Sequence, residues 1–222
     1  MLFDLRSRGR RRTVQGVYLG LAILMGGGLV LFGVGAGNGL GGLLNAFNGS
    51  GSSSNQSSAV SSAEKAAIKA TQTSPNDAAA WSNLIQARWS NASSNSADFN
   101  SSTGQFTAAG KQELTKLTQD WAQYQKLVKQ PDPNVIILAA RAYQYLGNYS
   151  SSTGAWQLIA TAEPTEATAF ECLSANAYAA GDKRVGGLAA TKALSLVPAV
   201  QRTLLQSKLN QAKTDSSIAQ SC

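Results

Sequence analysis

The chain has 222 residues, 43% of them hydrophobic and 7% aromatic, and its 19 basic residues against 12 acidic ones give a formal charge of +7. With no histidine and only two cysteines, it lacks the commonest general base and metal ligand and cannot build a cysteine-rich zinc site. Residues 1–12 hold five arginines and one aspartate, and the excess beyond them is small and dispersed, unlike the clustered Lys and Arg of a nucleic-acid surface. These features predict a protein that is not an enzyme, with no cofactor, no metal and no nucleic-acid partner.

Arg6, Arg8, Arg10, Arg11 and Arg12 precede a stretch that has no charged residue before Glu64. Within it, residues 13–37 read as a transmembrane helix, because Val14 to Ala36 is almost wholly apolar or glycine. At about 1.5 Å per residue, that run crosses a hydrocarbon core of roughly 30 Å. The arginines before the span place residues 1–12 in the cytoplasm and the rest across the cell membrane, as a single-pass signal anchor. A cleaved signal peptide is the rival reading, with Val34-Gly35-Ala36 as a small-residue cleavage site. The apolar run exceeds the roughly 7–15 residues of such a peptide, which favours the anchor. Gly33, Gly37 and Gly41 recur every fourth position, a spacing that lets membrane helices approach closely. Residues 38–62, rich in Gly, Ser and Asn, read as a flexible linker reaching about 25–30 Å.

Ala63, Ala67 and Ala70 before Pro75 predict a helix that opens the folded region. Asp77 is an N-cap for the next helix, in which Trp81, Leu84 and Ile85 share one face next to Arg88. A polar run from Asn91 to Ser101 follows. Ser102-x-x-Gln105 has capping-box form and predicts that the following helix starts there. That helix carries Leu114, Leu117, Trp121, Tyr124 and Val128 at core-facing spacing. The unit from Ala78 to Asp132 is longer than those after it, and the insertion, residues 91–110, has no assigned role.

Asp132 and Pro133 supply an N-cap and first helical residue. From there the sequence repeats. Gly147 and Gly181 are 34 residues apart, as are Pro164 and Pro198. Ile136, Ala139, Ala140, Tyr143, Ser152, Trp156 and Ile159 align with Phe170, Leu173, Ser174, Ala177, Gly186, Ala190 and Ala193. Each unit therefore holds two apolar helical stripes around a glycine turn, and must stack on a neighbour to bury them. Leu204, Leu205 and Leu209 give residues 203–213 the apolar face of a closing helix, and the tail, residues 214–222, is expected to fray. Glu163, Glu166 and Glu171 read as a solvated face. Cys172 reads as a small packing residue; Cys222 leaves an intrachain disulfide, an intermolecular one or a free thiol all open.

Spacing and residue types over 63–213, most closely over 133–200, resemble the tetratricopeptide repeat (TPR). The resemblance implies an all-α fold: a TPR-like α-solenoid of about three helix–turn–helix repeats plus caps, preceded by one transmembrane helix. It also implies a concave groove lined by the first helix of each repeat. The groove-facing positions carry over to Asn134, Ile137, Arg141, Gln144, Tyr145, Thr168, Glu171, Ala175 and Tyr178. Arg141 would pair with a peptide carboxylate, and Tyr145 and Tyr178 would supply flat contact area. The several basic residues of the chaperone-type carboxylate clamp are missing. The chain looks like bacterial membrane-tethered repeat proteins, so the expected function is to bind a protein or peptide outside the cytoplasm in envelope complex assembly. The alternative is a structural subunit of a larger membrane assembly, held through the glycine-rich transmembrane helix. Partner identity and oligomeric state stay open.

Overall fold

The computed structural model of the protein describes residues 53–222. The basic segment, the expected span with Gly33, Gly37 and Gly41, and the linker up to residue 52 lie outside the described residues. Among the described residues no helix is long and apolar enough to cross a membrane. Helix dominates: α1 (Ser53–Thr73), α2 (Ala78–Ser94), α3 (Ala108–Leu127), α4 (Pro133–Tyr145), α5 (Tyr149–Ala162), α6 (Ala167–Ala179), α7 (Lys183–Leu196) and α8 (Ala199–Ala212). A 3-10 helix follows at Ser216–Ser221, and strands β1 (Phe99–Asn100) and β2 (Gln105–Phe106) form one short antiparallel hairpin.

The helix ends follow from their local sequences. Asp77 accepts from the Ala79 amide at 2.9 Å, and Asp132 from the Asn134 amide at 2.8 Å with Pro133 in the first turn. The repeat is most visible at the turns. Gly147 and Gly181 have φ of 73° and 82°, a region where a Cβ is costly and glycine is not. Around the first, the Asn148 amide reaches the Tyr143 carbonyl at 2.8 Å and the Gly147 amide reaches that of Gln144 at 2.9 Å. Around the second, Asp182 reaches Ala177 at 2.8 Å and Gly181 reaches Tyr178 at 2.9 Å. These are two copies of the same glycine-terminated helix end. In both, the residue after the glycine also caps the next helix, Asn148 toward Ser151 and Asp182 toward Val185.

Small residues let the helices of each pair approach closely. Ser152 Oγ, buried on α5, donates to the Ala140 carbonyl of α4 at 3.0 Å. In the second copy the roles are exchanged, and Ser174 Oγ of α6 donates to the Gly186 carbonyl of α7 at 2.8 Å. Each hydrogen bond spans the same two positions of the repeat. Consecutive helices pack on one another from α2 through α7, and α8 lies against both α6 and α7. The main core gathers Ile85, Leu114, Leu117, Trp121, Val135, Ile136, Trp156 and Ile159, all at most 4% exposed.

Four expectations need correction. The helix expected near Ser102 begins at Ala108, with Thr107 as its cap. Residues 99–106 form the hairpin instead: Phe99 pairs with Phe106 across it, their ring centroids 4.9 Å apart, and Gly104 turns the chain at φ 67°. Burying Phe106 to 5% exposure outweighs one cap bond, which contributes about 1 kcal/mol. Helix α1 begins at Ser53, so the last residues of the expected linker are helical. Once Ala63 to Thr71 has nucleated, adding Ser, Gln, Ala and Val costs little per residue. Leu204 does not join Leu205 and Leu209 in the core but stands 77% exposed. Lastly, the tail is not frayed; what holds it is described below.

Gly110 fixes the hairpin to α3. A Cβ there would overlap the Asp98 carbonyl oxygen and lie 2.8 Å from Phe106 Cδ1. The carbonyl cannot yield freely, because it accepts the Thr107 amide at 2.8 Å. Gly110→Ala should therefore lose about 1–3 kcal/mol to overpacking, more than the roughly 0.5–1 kcal/mol that alanine gains in a helix. Urea unfolding checks the sign, and a net gain would show that the hairpin is loosely attached.

Candidate functional site: the face of α4 and α6

The nine positions expected to line a groove do not form one open surface. Asn134 is exposed at the start of α4, its Nδ2 donating to Asp132 Oδ1 at 3.1 Å. Ile137 is half-buried and packs on the main core. Thr168 is exposed in the first turn of α6. Glu171 is half-buried and pairs with Lys208 of α8 at 2.6 Å. Of the expected acidic face, Glu163 and Glu166 are exposed.

The remaining five contact other parts of the same chain, which cover all of them but Arg141. Tyr145 is covered by the insertion: its ring centroid is 4.8 Å from Phe106, edge to face, and 6.4 Å from Trp89. Gln144 is fully buried, and its amide nitrogen and oxygen both lack a hydrogen-bond partner. Ala175 is 2% exposed and packs with Ala212 and Ala219. Tyr178 lies in the same cluster, with Lys213 Nζ 5.9 Å above its ring. Burial holds its phenol above the usual value, so it stays neutral at physiological pH. Arg141, although exposed, donates from Nε at 3.1 Å and from Nη2 at 2.9 Å to the main-chain oxygen of Cys222.

The covering element is the terminal segment. Asp215 caps its 3-10 helix through the Ser217 amide at 2.9 Å, and hydrogen bonding from the Ser217 side chain, then from its amide, holds the Asp215 carboxyl below its ordinary range. Ala219 is fully buried. Gln220 bridges two elements, accepting from Gln105 Nε2 of the hairpin at 3.1 Å and donating to the Tyr149 hydroxyl at 3.5 Å. Cys222 is joined to Cys172 of α6 by a disulfide, with Cα atoms 5.5 Å apart. Both expectations for this region change: Cys172 is buried but bonded, and residues 214–222 are anchored.

Sequence reasoning placed Arg141, Tyr145, Ala175 and Tyr178 on an expected groove but missed what covers them. The one signal was the presence of two cysteines, 50 residues apart, whose pairing the sequence left open. No family model matches this chain, and no curated protein matches it significantly.

The buried amide of Gln144 yields a prediction of its own. Gln144→Met keeps the length of the side chain and removes two unpaired polar groups from the interior. It should raise stability by about 1–2 kcal/mol, read as a higher urea midpoint. A loss would mean that a bound water or ligand satisfies the amide.

Proposed function

We propose that the protein is a membrane-tethered TPR-like module that acts outside the cytoplasm and binds a segment of a protein partner on the α4/α6 face during envelope complex assembly. One observation carries this reading: the face already holds a short peptide, the chain's own residues 214–222. Arg141 holds a main-chain oxygen of that segment, and Ala175 and Tyr178 receive Ala219 and Ile218. A surface with a cationic fork beside a small apolar bed suits such a guest. The ordered neighbour packing of α2 to α7 and the duplicated glycine turns support a short solenoid. The disulfide supports the proposed compartment, since such bonds persist in oxidising environments and are rare in the cytosol.

The test uses the full-length protein in its native membrane, with a photo-crosslinking residue at Asn134 or Thr168 on the face, or at exposed Gln157 of α5. The same discrete adduct from the first two and none from Gln157 is expected. Equal labelling from all three, or none from the face with or without dithiothreitol, overturns the reading.

A further inference from the structure

The terminal segment contributes little apolar area of its own. Ala219 is its one fully buried residue, Ile218 is half-buried, and of the two Gln220 side-chain bonds the one with Gln105 is exposed and the one to Tyr149 is part-buried. What distinguishes it from a loosely docked tail is the covalent bond to Cys172. The two sulfur-bearing residues differ in access: Cys172 is 2% exposed, whereas Cys222 is half-buried.

Resting on the reading of the α4/α6 face as a binding surface, we propose that the Cys172–Cys222 disulfide is a latch, so that a dithiol reductant controls access to that face. The reductant's thiolate attacks the more accessible Cys222 sulfur and forms a mixed disulfide. Cys172 leaves as a thiolate and takes up a proton. The reductant's second thiol then displaces Cys222, which leaves as a thiol. Two electrons and two protons pass from the dithiol to the protein, and the reductant becomes a disulfide.

The consequence for binding is one of effective concentration. While the bond is intact, the segment cannot leave, and no free peptide displaces it. After reduction it is an ordinary intramolecular ligand, at an effective concentration in the millimolar range set by its short tether. It is then held by the Arg141 contact, Ala219 and the two Gln220 bonds. A protein segment with small apolar residues and an accessible main-chain oxygen competes with it for Arg141, Ala175 and Tyr178. The latch leaves the repeat core intact, because α4 to α7 retain their own hydrogen bonds and buried contacts.

Hydrogen exchange on the full chain, with and without dithiothreitol, tests the latch, and the Cys222→Ser variant gives the same comparison without reductant. Protection of residues 214–222 should fall at least about 100-fold, while core amides of α4 and α6 change by less than about tenfold. Photo-crosslinking from Thr168 in membranes should rise on reduction, and Arg141→Glu should suppress that rise. Retained protection of the segment, or loss of protection throughout the domain in both the reduced protein and the variant, overturns the latch: the bond is then a structural staple. Adduct formation of equal yield in both redox states also overturns it while leaving the binding reading standing. Absence of adduct in either state removes the binding reading itself.

Discussion

Replacing Arg88 with alanine is expected to destabilise the folded domain by about 3–5 kcal/mol, the loss found when one partner of a buried ion cluster is removed. Arg88 Nε donates to Asp120 at 2.6 Å, and Nη1 contacts Glu64 at 2.9 Å and Glu113 at 3.5 Å. Asn91 Nδ2 adds a bond to Glu64 at 2.7 Å, and Lys116 pairs with Glu113 at 2.7 Å. One guanidinium thus ties α1, α2 and α3 together. The Arg88, Glu64 and Asp120 side chains are only 11–12% exposed, so water screens the cluster weakly. Without Arg88, three carboxylates face one another. Lysine is a poor substitute, since a single ammonium cannot reproduce the planar fork that meets several carboxylates at once.

The same cluster sets a pH dependence. Burial raises the Asp120 carboxyl above 3.8, outweighing the attraction of Arg88, and the Glu64 charge adds to the rise. The folded state therefore binds this proton more tightly than the unfolded chain. Its contribution is fully present below 3.8 and is lost as pH climbs through the raised value. Removing Arg88 strengthens that trend. The deficit of Arg88→Ala, measured by urea unfolding, should be largest near neutrality and shrink as pH falls toward the carboxylate range. A neutral-pH deficit below about 1 kcal/mol, typical of an exposed pair, would show that the cluster is solvated.

Phe106→Ala should destabilise the protein by a comparable amount, about 3–5 kcal/mol. Its ring centroid is 4.9 Å from Phe99, 4.8 Å from Tyr145 and 5.9 Å from Trp89. The hairpin is two residues wide on each strand, too short to persist without this cluster. Its loss should uncover Tyr145, which tetranitromethane would then nitrate faster in the variant than in the wild type. Phe99→Ala should cost less, because Phe99 is half-exposed. A Phe106→Ala loss under about 1 kcal/mol would place the hairpin outside the cooperative unit.

Legibility in the sequence followed interaction range. Asp77, Asp132 and Pro133 act where they were expected to, because a cap joins a side chain to an amide two or three residues away. Gly147 and Gly181 behave likewise, and the stripe Leu114, Leu117, Trp121 and Tyr124 is buried as its spacing predicts. The Ser102 capping box misled for the complementary reason. It was a valid local signal, defeated by a contact between Phe106 and Tyr145 that local reading cannot see. Arg88, noted only as a neighbour of the Trp81, Leu84 and Ile85 face, proved to be the centre of an ion cluster whose partners lie 24 to 32 residues away.

The α4/α6 face shows the same division. Resemblance to the tetratricopeptide repeat singled out Arg141, Tyr145, Ala175 and Tyr178, and the helical period of 3.6 residues puts those of one helix on a shared side. It could not say whether that side meets solvent. The chain itself determined its helices, their caps and its glycine turns, because each is settled by residues a few positions apart. Tertiary structure decided that the insertion roofs Tyr145, that Cys172 and Cys222 meet, and that the terminal segment lies over Arg141. Those contacts join residues 39 to 81 positions apart, where loop closure is costly and only the packed fold brings the partners within reach.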